Sequence, residues 1–292
     1  MIDIVVGPNL VSFWTFVISW HGFFSFVAVA SAVYLVGRWS LMSGIDPDDM
    51  YTLAIWAILG GIIGARAVHV IDNWSVGANS AARPGPIIAI WSGGIGIWGG
   101  VLGGLVAGVL SARRLGLPIG QTADLIAPAL LFVQTIGRIG DIVIGEHCAN
   151  AWDFALGFVW TNPASIAGSC ANGIGVSVQP VIAYEMIWNM LALIVIWKLR
   201  GRLQPPGMVY VFYLALYSVG RFGITFLRED NVLALGLQES QIIALIVLAV
   251  TVPLLLIKAR PSAGPQLAAD GAPPLPASER GTRAQRRRRR RR

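Results

Sequence analysis

Charge is what this sequence has least of. Only 13% of its 292 residues are Asp, Glu, Lys or Arg, whereas soluble domains carry about 25%. Hydrophobic residues make up 55% of the chain, and its mean hydropathy is +0.66. Since so few charges cannot cover a water-facing surface, this composition excludes an ordinary soluble domain and favours an integral membrane protein.

Cysteine and early basic residues are also scarce. The first Lys or Arg is Arg38, so no positive region precedes the first apolar stretch and we expect no cleavable signal peptide. The two cysteines, Cys148 and Cys170, are too few for a disulfide scaffold. Both a single disulfide and two free thiols fit the sequence.

The net charge of +7 does not indicate a nucleic-acid binder, because the arginines at 286–292 account for all of it. Residues 260–292 are rich in Pro, Ala and Gly and then in Arg, a composition that predicts a disordered cytoplasmic tail. We expect the arginine run to contact anionic lipid of the inner leaflet. Contact with RNA and a role as a topological signal are the weaker alternatives.

Long apolar runs predict an all-α integral membrane protein with seven spanning helices, within a membrane domain of residues 1–259. The predicted helices lie at about 10–37, 51–72, 87–110, 121–137, 180–198, 207–227 and 239–257. Most basic loop residues follow the odd-numbered helices, which places those loops in the cytoplasm and the N-terminus outside. The loop at about 138–179 is then extracytoplasmic, where a disulfide between its two cysteines is plausible.

Ionisable residues within these apolar runs predict one polar site that opens outward. Arg66, Glu185 and Arg221 lie on three helices, roughly 10 Å below the outer surface at about 1.5 Å per residue. Arg138 opens the outer loop above them. Arginines suit a phospholipid headgroup because they give bidentate donors and a permanent charge. The alternative is ion pairs that only fix helix packing, Arg138 with Glu146 or Arg221 with Glu185.

Two further features lie near this charged layer. Glycines recur every fourth residue along the predicted third helix, at 96, 100, 104 and 108, so a helix or an acyl chain can approach its backbone closely. Helix packing is the preferred interpretation for Gly104 and Gly108, whereas Gly93 and Gly94 lie where a lipid headgroup can sit. His21 lies somewhat deeper, and structural and functional roles for it are equally open.

These segments resemble, in order and spacing, the prolipoprotein diacylglyceryl transferases over about residues 10–258. "GRIGDIVIGE" is similar to the family signature G-R-x-G-N-F-x-N-x-E and contains Arg138 and Glu146. "GGIIGARAVHV" contains Arg66, "QPVIAYE" contains Tyr184 and Glu185, and "GRFGITFLRE" contains Arg221 and Arg228. The chain departs from the family at polar positions: His21 stands for Tyr, Trp98 for His, Asp141 for Asn, Gln179 for His and Thr225 for Glu.

The resemblance implies a seven-span enzyme of the bacterial plasma (inner) membrane with no metal or soluble cofactor. Such enzymes move a diacylglyceryl group from phosphatidylglycerol to the lipobox cysteine thiol of a prolipoprotein. The thiol attacks the glycerol carbon that bears the phosphate, and glycerol-1-phosphate leaves. The alternative is a divergent, noncatalytic phospholipid-binding paralogue. A transporter is disfavoured because the charged layer lies near the outer face rather than the midplane.

The resemblance also suggests roles for individual residues. Arg138 and Arg221 are assigned to the phosphate, where charge develops in the transition state. Glu146 and Glu185 are expected to orient the arginines or the glycerol hydroxyls. The further substrate-binding candidates are Arg66, Tyr184, Asp141, Arg228, Gly93 and Gly94. The reacting thiol must be deprotonated, and the candidate bases left open are His21, Glu146 and Asp141.

Overall fold

The computed structural model describes residues 1–14, 16–73, 87–88, 94, 96–229 and 232–262. Within them the chain is mostly helical, with seven long helices: α1 Trp20–Met42, α2 Pro47–Asp72, α3 Ile97–Leu115, α4 Ile119–Ile144, α5 Val181–Leu199, α6 Met208–Thr225 and α7 Glu239–Lys258. Six of these, all except α3, are long and apolar enough to cross a membrane. The chain is therefore an α-helical, multi-pass membrane protein. Gly93 and the part of the predicted tail after residue 262 lie outside the described residues.

The predicted first helix begins ten residues too early. Residues 10–19 belong mostly to a hairpin in which β2 (Asn9–Phe13) pairs antiparallel with β3 (Phe16–Ser19). β-branched residues at 11, 17 and 18 suit strands as well as they suit apolar helices. Ser19 then caps α1, because its side chain accepts a hydrogen bond from Gly22 N.

The fourth helix is longer than predicted. α4 continues to Ile144, so Arg138 and Asp141 lie within its last two turns and not in the loop. The glycines around them have low helix propensity, but tertiary packing overrides it. Gly145 ends the helix in the left-handed conformation, with φ of 73°, which glycine adopts without steric cost.

The helices pack mainly as α2 with α3, α1 with α4, α6 with α7, and α4, α5 and α6 with one another. One buried apolar cluster joins α4, α5 and α6 through Leu131, Ile196 and Val209. A second joins α1, α2 and α4 through Val36, Met50 and Leu125. The polar residues described below lie at one end of this packing, beyond the cluster that joins α4, α5 and α6.

Glycine allows α2 and α3 to approach each other closely. A Cβ on Gly64 would overlap the Gly99 carbonyl, and one on Gly60 would overlap the Gly103 carbonyl. The predicted row at 96, 100, 104 and 108 lies beside this contact, and its Gly104 faces Gly61 of α2. The helix-packing interpretation of the glycine pattern is therefore confirmed for this face.

The segment between α4 and α5, residues 145–180, folds against the N-terminus and α6. Its strand β4 (Phe158–Trp160) pairs in parallel with β1 (Ile2–Ile4). Cys148 and Cys170 form a disulfide, which resolves the two readings of the cysteines. Two short pairs complete the fold: β5 (Leu203–Gln204) with β8 (Arg260–Pro261), and β6 (Val232–Ala234) with β7 (Leu237–Gln238).

Candidate functional site

Glu185 on α5 connects three arginines. Its Oε2 lies 2.5 Å from Arg138 Nη2, and its Oε1 lies 2.5 Å from Arg221 Nη1 and 3.5 Å from Arg228 Nη1. The Glu185 side chain is only 8% exposed. One buried carboxylate thus holds guanidinium groups that come from α4, from α6 and from the turn after α6.

Asp141 connects this group to the start of α1. Its Oδ2 is 2.8 Å from Arg138 Nη1, one turn earlier on the same helix, and its Oδ1 is 2.5 Å from His21 Nδ1. Glu146 Oε2 lies 3.3 Å from the same Nδ1. The expected pair of Arg138 with Glu146 is therefore corrected: Arg138 pairs with Asp141 and Glu185, and Glu146 pairs with His21.

Gly140 is the reason that His21 reaches α4. A Cβ on Gly140 would lie 2.6 Å from His21 Cα and 3.0 Å from the Trp20 carbonyl oxygen, closer than real Cβ contacts allow. The bare backbone of α4 therefore admits the first turn of α1. Since α1 begins at Trp20, His21 lies in that first turn and faces the carboxylate of the next residue of α4.

His147, which follows Glu146 in the sequence, lies at the centre of these groups. Its Nδ1 is 3.1 Å from Arg228 Nη2, its Nε2 is 3.5 Å from Asp141 Oδ2, and Nε2 also contacts Arg138 Nη1. Arginine only donates, so Nδ1 of a neutral His147 accepts from Arg228, and the proton on Nε2 faces Asp141 Oδ2. Burial, with smaller contributions from Arg228 and Arg138, lowers the pKa of the His147 imidazole.

The segment after α4 fixes His147 and Arg228 against each other. Asn150 N donates to the Leu227 carbonyl over 3.1 Å, and Glu229 N donates to the Cys148 carbonyl over 3.2 Å. Residues 148–150 therefore run beside 227–229, next to the disulfide. This short strand-like pairing is what brings two residues 81 positions apart into contact.

Eight residues form what we call the polar cluster: His21, Arg138, Asp141, Glu146, His147, Glu185, Arg221 and Arg228. The charges of its three arginines and three carboxylates cancel when both imidazoles are neutral. The Arg138 and Arg221 side chains are 17% and 20% exposed, whereas Arg228 is 6% exposed. A guanidinium has five N–H donors, so Arg138 and Arg221 retain donors that an entering anion can reach.

The other predicted site residues lie apart from these contacts. Arg66 Nε and Nη1 donate to the carbonyls of Ile87 and Gly94, each over 2.9 Å. Gly94 has φ of 74°, and a Cβ there would overlap the His69 ring. Tyr184 donates through its hydroxyl to Gln179 Oε1 over 3.1 Å. Arg66 therefore supports the chain ahead of α3, and Tyr184 the entry to α5.

Like Gln179, Thr225 and Trp98 depart from the expected family pattern and lie outside the polar cluster. Thr225 is fully buried, and its hydroxyl donates to the Arg221 carbonyl over 2.6 Å and lies 3.2 Å from Ser240 Oγ. Trp98 is 36% exposed, in the first turn of α3. Thr225 thus joins α6 to α7 and contributes no charge to the cluster.

One group among the described residues could offer three ligands to a metal ion. Atoms of His21, Asp141 and Glu146 lie within 4.8 Å of one another. Arg138, however, already places a fixed positive charge 2.8 Å from Asp141, and this charge would repel a metal cation bound to the same carboxylate. The donor set therefore suits a proton or a hydrogen bond better than a second cation.

Comparison with known proteins identifies the family. The model of the prolipoprotein diacylglyceryl transferase family matches residues 8–257. The chain belongs to the prolipoprotein diacylglyceryl transferase family. All eight residues of the polar cluster lie within the matched range, so the cluster is part of the transferase domain and not of an appended segment.

Similar transferases occur in several bacteria. The chain is 33% identical over 250 residues to phosphatidylglycerol–prolipoprotein diacylglyceryl transferase from Synechococcus elongatus, covering 83% of this chain and 84% of that one. It is 32% identical over 263 residues to the protein of the same name from Dehalococcoides mccartyi, covering 89% and 96%. The corresponding Nostoc sp. transferase is 32% identical over 249 residues, covering 82% and 84%.

Proposed function

We propose that the chain transfers a diacylglyceryl group from phosphatidylglycerol to the lipobox cysteine thiol of prolipoproteins. The observation that carries this proposal is the pair Arg138 and Arg221, both held by Glu185 at 2.5 Å and both partly exposed. Donors that are fixed before the substrate arrives stabilise developing charge without reorganising. The names of the similar transferases specify the same phospholipid donor and a prolipoprotein acceptor.

The reaction follows from what such a site can stabilise. The sulfur attacks the diacylglyceryl carbon that bears the phosphate, the carbon–oxygen bond breaks, and its electron pair stays on the phosphate oxygen of glycerol-1-phosphate. The leaving phosphate thereby gains one negative charge. Arg138 and Arg221 would bind this phosphate through paired N–H donors, the geometry in which arginine binds phosphate best.

The remaining residues would support these two arginines. Glu185 orients both guanidinium groups, and buried Arg228 supports Glu185 and His147. Glu146 and Asp141 face His21 at the exposed side of the cluster. Secondary substrate-binding roles remain proposed for Arg66, Tyr184, Gly93 and Gly94, which would line the lipid cavity or its mouth.

We further propose seven spans, with α3 as the span of lowest hydropathy, the N-terminus outside and the C-terminus in the cytoplasm. The polar cluster contains residues from the start of α1, the end of α4, the start of α5 and the end of α6. A chain that crosses the membrane seven times, alternating in direction, places all four of these helix ends on the same side. The site would then open at the outer face of the plasma (inner) membrane.

The arginine tail at 286–292 would bind anionic lipid of the inner leaflet rather than nucleic acid. We expect the full chain to bind vesicles containing phosphatidylglycerol more tightly than a chain ending at residue 262, and this difference to vanish with phosphatidylcholine alone. Equal binding by both chains would contradict this role of the tail.

Complementation of a transferase-depleted bacterial strain tests the proposed function. We expect the wild-type chain to convert prolipoprotein and Arg138→Ala to abolish conversion. The control is Arg113→Ala, which changes an exposed arginine in the last turn of α3 and should convert prolipoprotein normally. Failure of the wild type in membranes where it is folded would favour the noncatalytic phospholipid-binding alternative. Full activity of Arg138→Ala would refute the assignment of this arginine to the phosphate.

A further inference from the structure

The surroundings of His21 determine which ring nitrogen carries its proton. Nδ1 faces two carboxylates, Asp141 Oδ1 at 2.5 Å and Glu146 Oε2 at 3.3 Å. Ionised carboxylates only accept hydrogen bonds. In the neutral ring the proton therefore belongs on Nδ1, and Nε2 is left as the nitrogen with a free lone pair.

The His21 ring is only partly covered. The His21 side chain is 44% exposed, and within the part of the chain that the structure describes, its recorded polar contacts are all made by Nδ1. With the proton on Nδ1, this ring keeps an unprotonated Nε2, and Asp141 joins the ring to Arg138 of the phosphate site.

Asp141 holds the ring rigidly because its carboxylate is itself fixed. The side chain is 7% exposed, and Oδ2 lies 2.8 Å from Arg138 Nη1 and 3.5 Å from His147 Nε2. One carboxylate oxygen of Asp141 thus contacts His21, and the other contacts Arg138. The groups facing His21 are Asp141 of α4, Glu146 of the following segment and, through Asp141, Arg138.

We propose that His21 is the catalytic base that takes the thiol proton through Nε2, and that Asp141 is the positioning residue that fixes its tautomer. This inference rests on the proposed transferase function and deepens it. The S–H bond breaks, the proton moves to Nε2, and the sulfur electron pair forms the S–C bond as the C–O bond to phosphate breaks. The imidazolium then returns its proton to the glycerol phosphate or to water.

Asp141 also links the two halves of the reaction. Its second oxygen fixes Arg138, so one carboxylate positions both the base and a phosphate ligand. The pair of Asp141 with Arg138 therefore does not inactivate the arginine. Arg138 still has Nη2 on Glu185 and N–H donors directed away from both carboxylates.

The first test measures turnover of the purified full-length chain with phosphatidylglycerol in micelles and a synthetic peptide thiol. We expect His21→Ala to lower kcat by about 10²- to 10⁴-fold, the usual contribution of a general base, with little change in KM for the lipid. Added imidazole should restore part of this loss, but restore nothing in Arg138→Ala. Asp141→Asn should lower kcat about 10-fold or more, also at nearly constant KM.

The outcomes separate this inference from the proposed function. If the wild type converts no peptide, the proposed function fails. If the wild type is active and His21→Ala retains full kcat or shows no rescue by imidazole, only the inference is overturned. His21→Gln, which keeps the polar volume, replaces His21→Ala if the latter does not fold. Activity that chelator removes and a divalent cation alone restores would also overturn the base role.

The second test is independent of turnover. Nitrogen-15 NMR of the full chain labelled at histidine, with the His21 signals assigned by their loss in His21→Gln, reports which nitrogen is protonated. We expect neutral His21 to carry its proton on Nδ1 in the wild type and to show a mixture of tautomers in Asp141→Asn. A wild-type proton on Nε2 would overturn the inference whatever the activity.

Discussion

At the scale of single residues, Glu185 determines the shape of the phosphate site. Without it, the guanidinium groups of Arg138 and Arg221 would repel each other across the space that they share. Removing one partner of a buried ion pair typically costs about 3–5 kcal/mol, because the remaining charge is left uncompensated. Glu185 is therefore expected to matter for geometry as much as for stability.

Glu185→Gln tests this role. The amide keeps the size of the side chain but loses its charge and one acceptor oxygen, so Arg138 and Arg221 lose their common anchor. We expect kcat to fall by about 10²-fold or more, as for loss of an electrostatic stabiliser, measured with phosphatidylglycerol and a peptide thiol. Glu239→Gln, at an exposed glutamate in the first turn of α7, should leave kcat unchanged. Equal effects of both substitutions would contradict this role.

His147 makes a pH-dependent contribution to stability. Burial lowers the pKa of its imidazole, so folding favours the neutral ring, while the unfolded ring titrates near about 6.5. The stabilisation is present above that pH and is lost as the pH falls through it, because the unfolded state binds the proton more readily. We expect the thermal midpoint in detergent to fall between pH 7.5 and pH 5.5, and to fall less in His147→Gln. An equal fall in both would contradict the assignment.

At the scale of elements, the contact between α1 and α4 depends on the absence of a side chain at Gly140. Gly140→Ala would push the first turn of α1 away from α4 and separate His21 from Asp141. Gly137 is the matched control, since a Cβ there meets nothing within 4 Å. We expect Gly140→Ala to lower the thermal midpoint and turnover, and Gly137→Ala to keep or raise the midpoint. A stable, fully active Gly140→Ala would show that this close approach is dispensable.

The α2–α3 contact allows a second comparison at the same scale. Glycine to alanine gains about 1 kcal/mol of helix propensity, whereas forcing a methyl group into a packed contact costs about 1–3 kcal/mol. A Cβ on Gly99 would overlap the Gly64 backbone, but one on Gly108 would meet Ala57 Cβ at an ordinary 3.6 Å. We therefore expect Gly99→Ala to lower the thermal midpoint and Gly108→Ala to preserve or raise it. The reverse order would show that α2 and α3 do not meet at this glycine pair.

At the scale of the whole molecule, the sequence predicts which segments form helices and which residues belong to the site better than it predicts the contacts between those residues. Depth along an apolar helix follows from residue number alone, so Glu185 and Arg221 could be placed in one layer. Pairing could not be predicted in the same way. Glu146 pairs with His21 and not with Arg138 because Gly140 admits α1 and because α4 extends to Ile144.

The start of α1 and the position of His147 were hidden for a related reason. By composition, the apolar residues at 10–19 fit a membrane helix, and only strand pairing distinguishes the observed hairpin from such a helix. His147 reaches Arg228 through backbone pairing of 148–150 with 227–229. Such long-range pairing leaves no local pattern in a single sequence.

The disulfide ties this pairing to the rest of the outer segment. Cys148 and Cys170 are 22 residues apart, and closing a loop of about this length contributes about 3 kcal/mol in the chain-entropy model. Cys148 also accepts the Glu229 N–H through its carbonyl, directly beside the contact of His147 with Arg228. Loss of the bridge should therefore loosen the polar cluster as well as the loop.

A Cys148→Ser, Cys170→Ser double variant tests this coupling. We expect a lower thermal midpoint and lower turnover than in the wild type, because His147 and Arg228 are then held by fewer constraints. Reductant should lower the wild-type midpoint towards that of the double variant and leave the double variant unchanged, which makes the variant its own control for nonspecific effects. A double variant as active and as stable as the oxidised wild type would show that backbone pairing alone holds this end of the site.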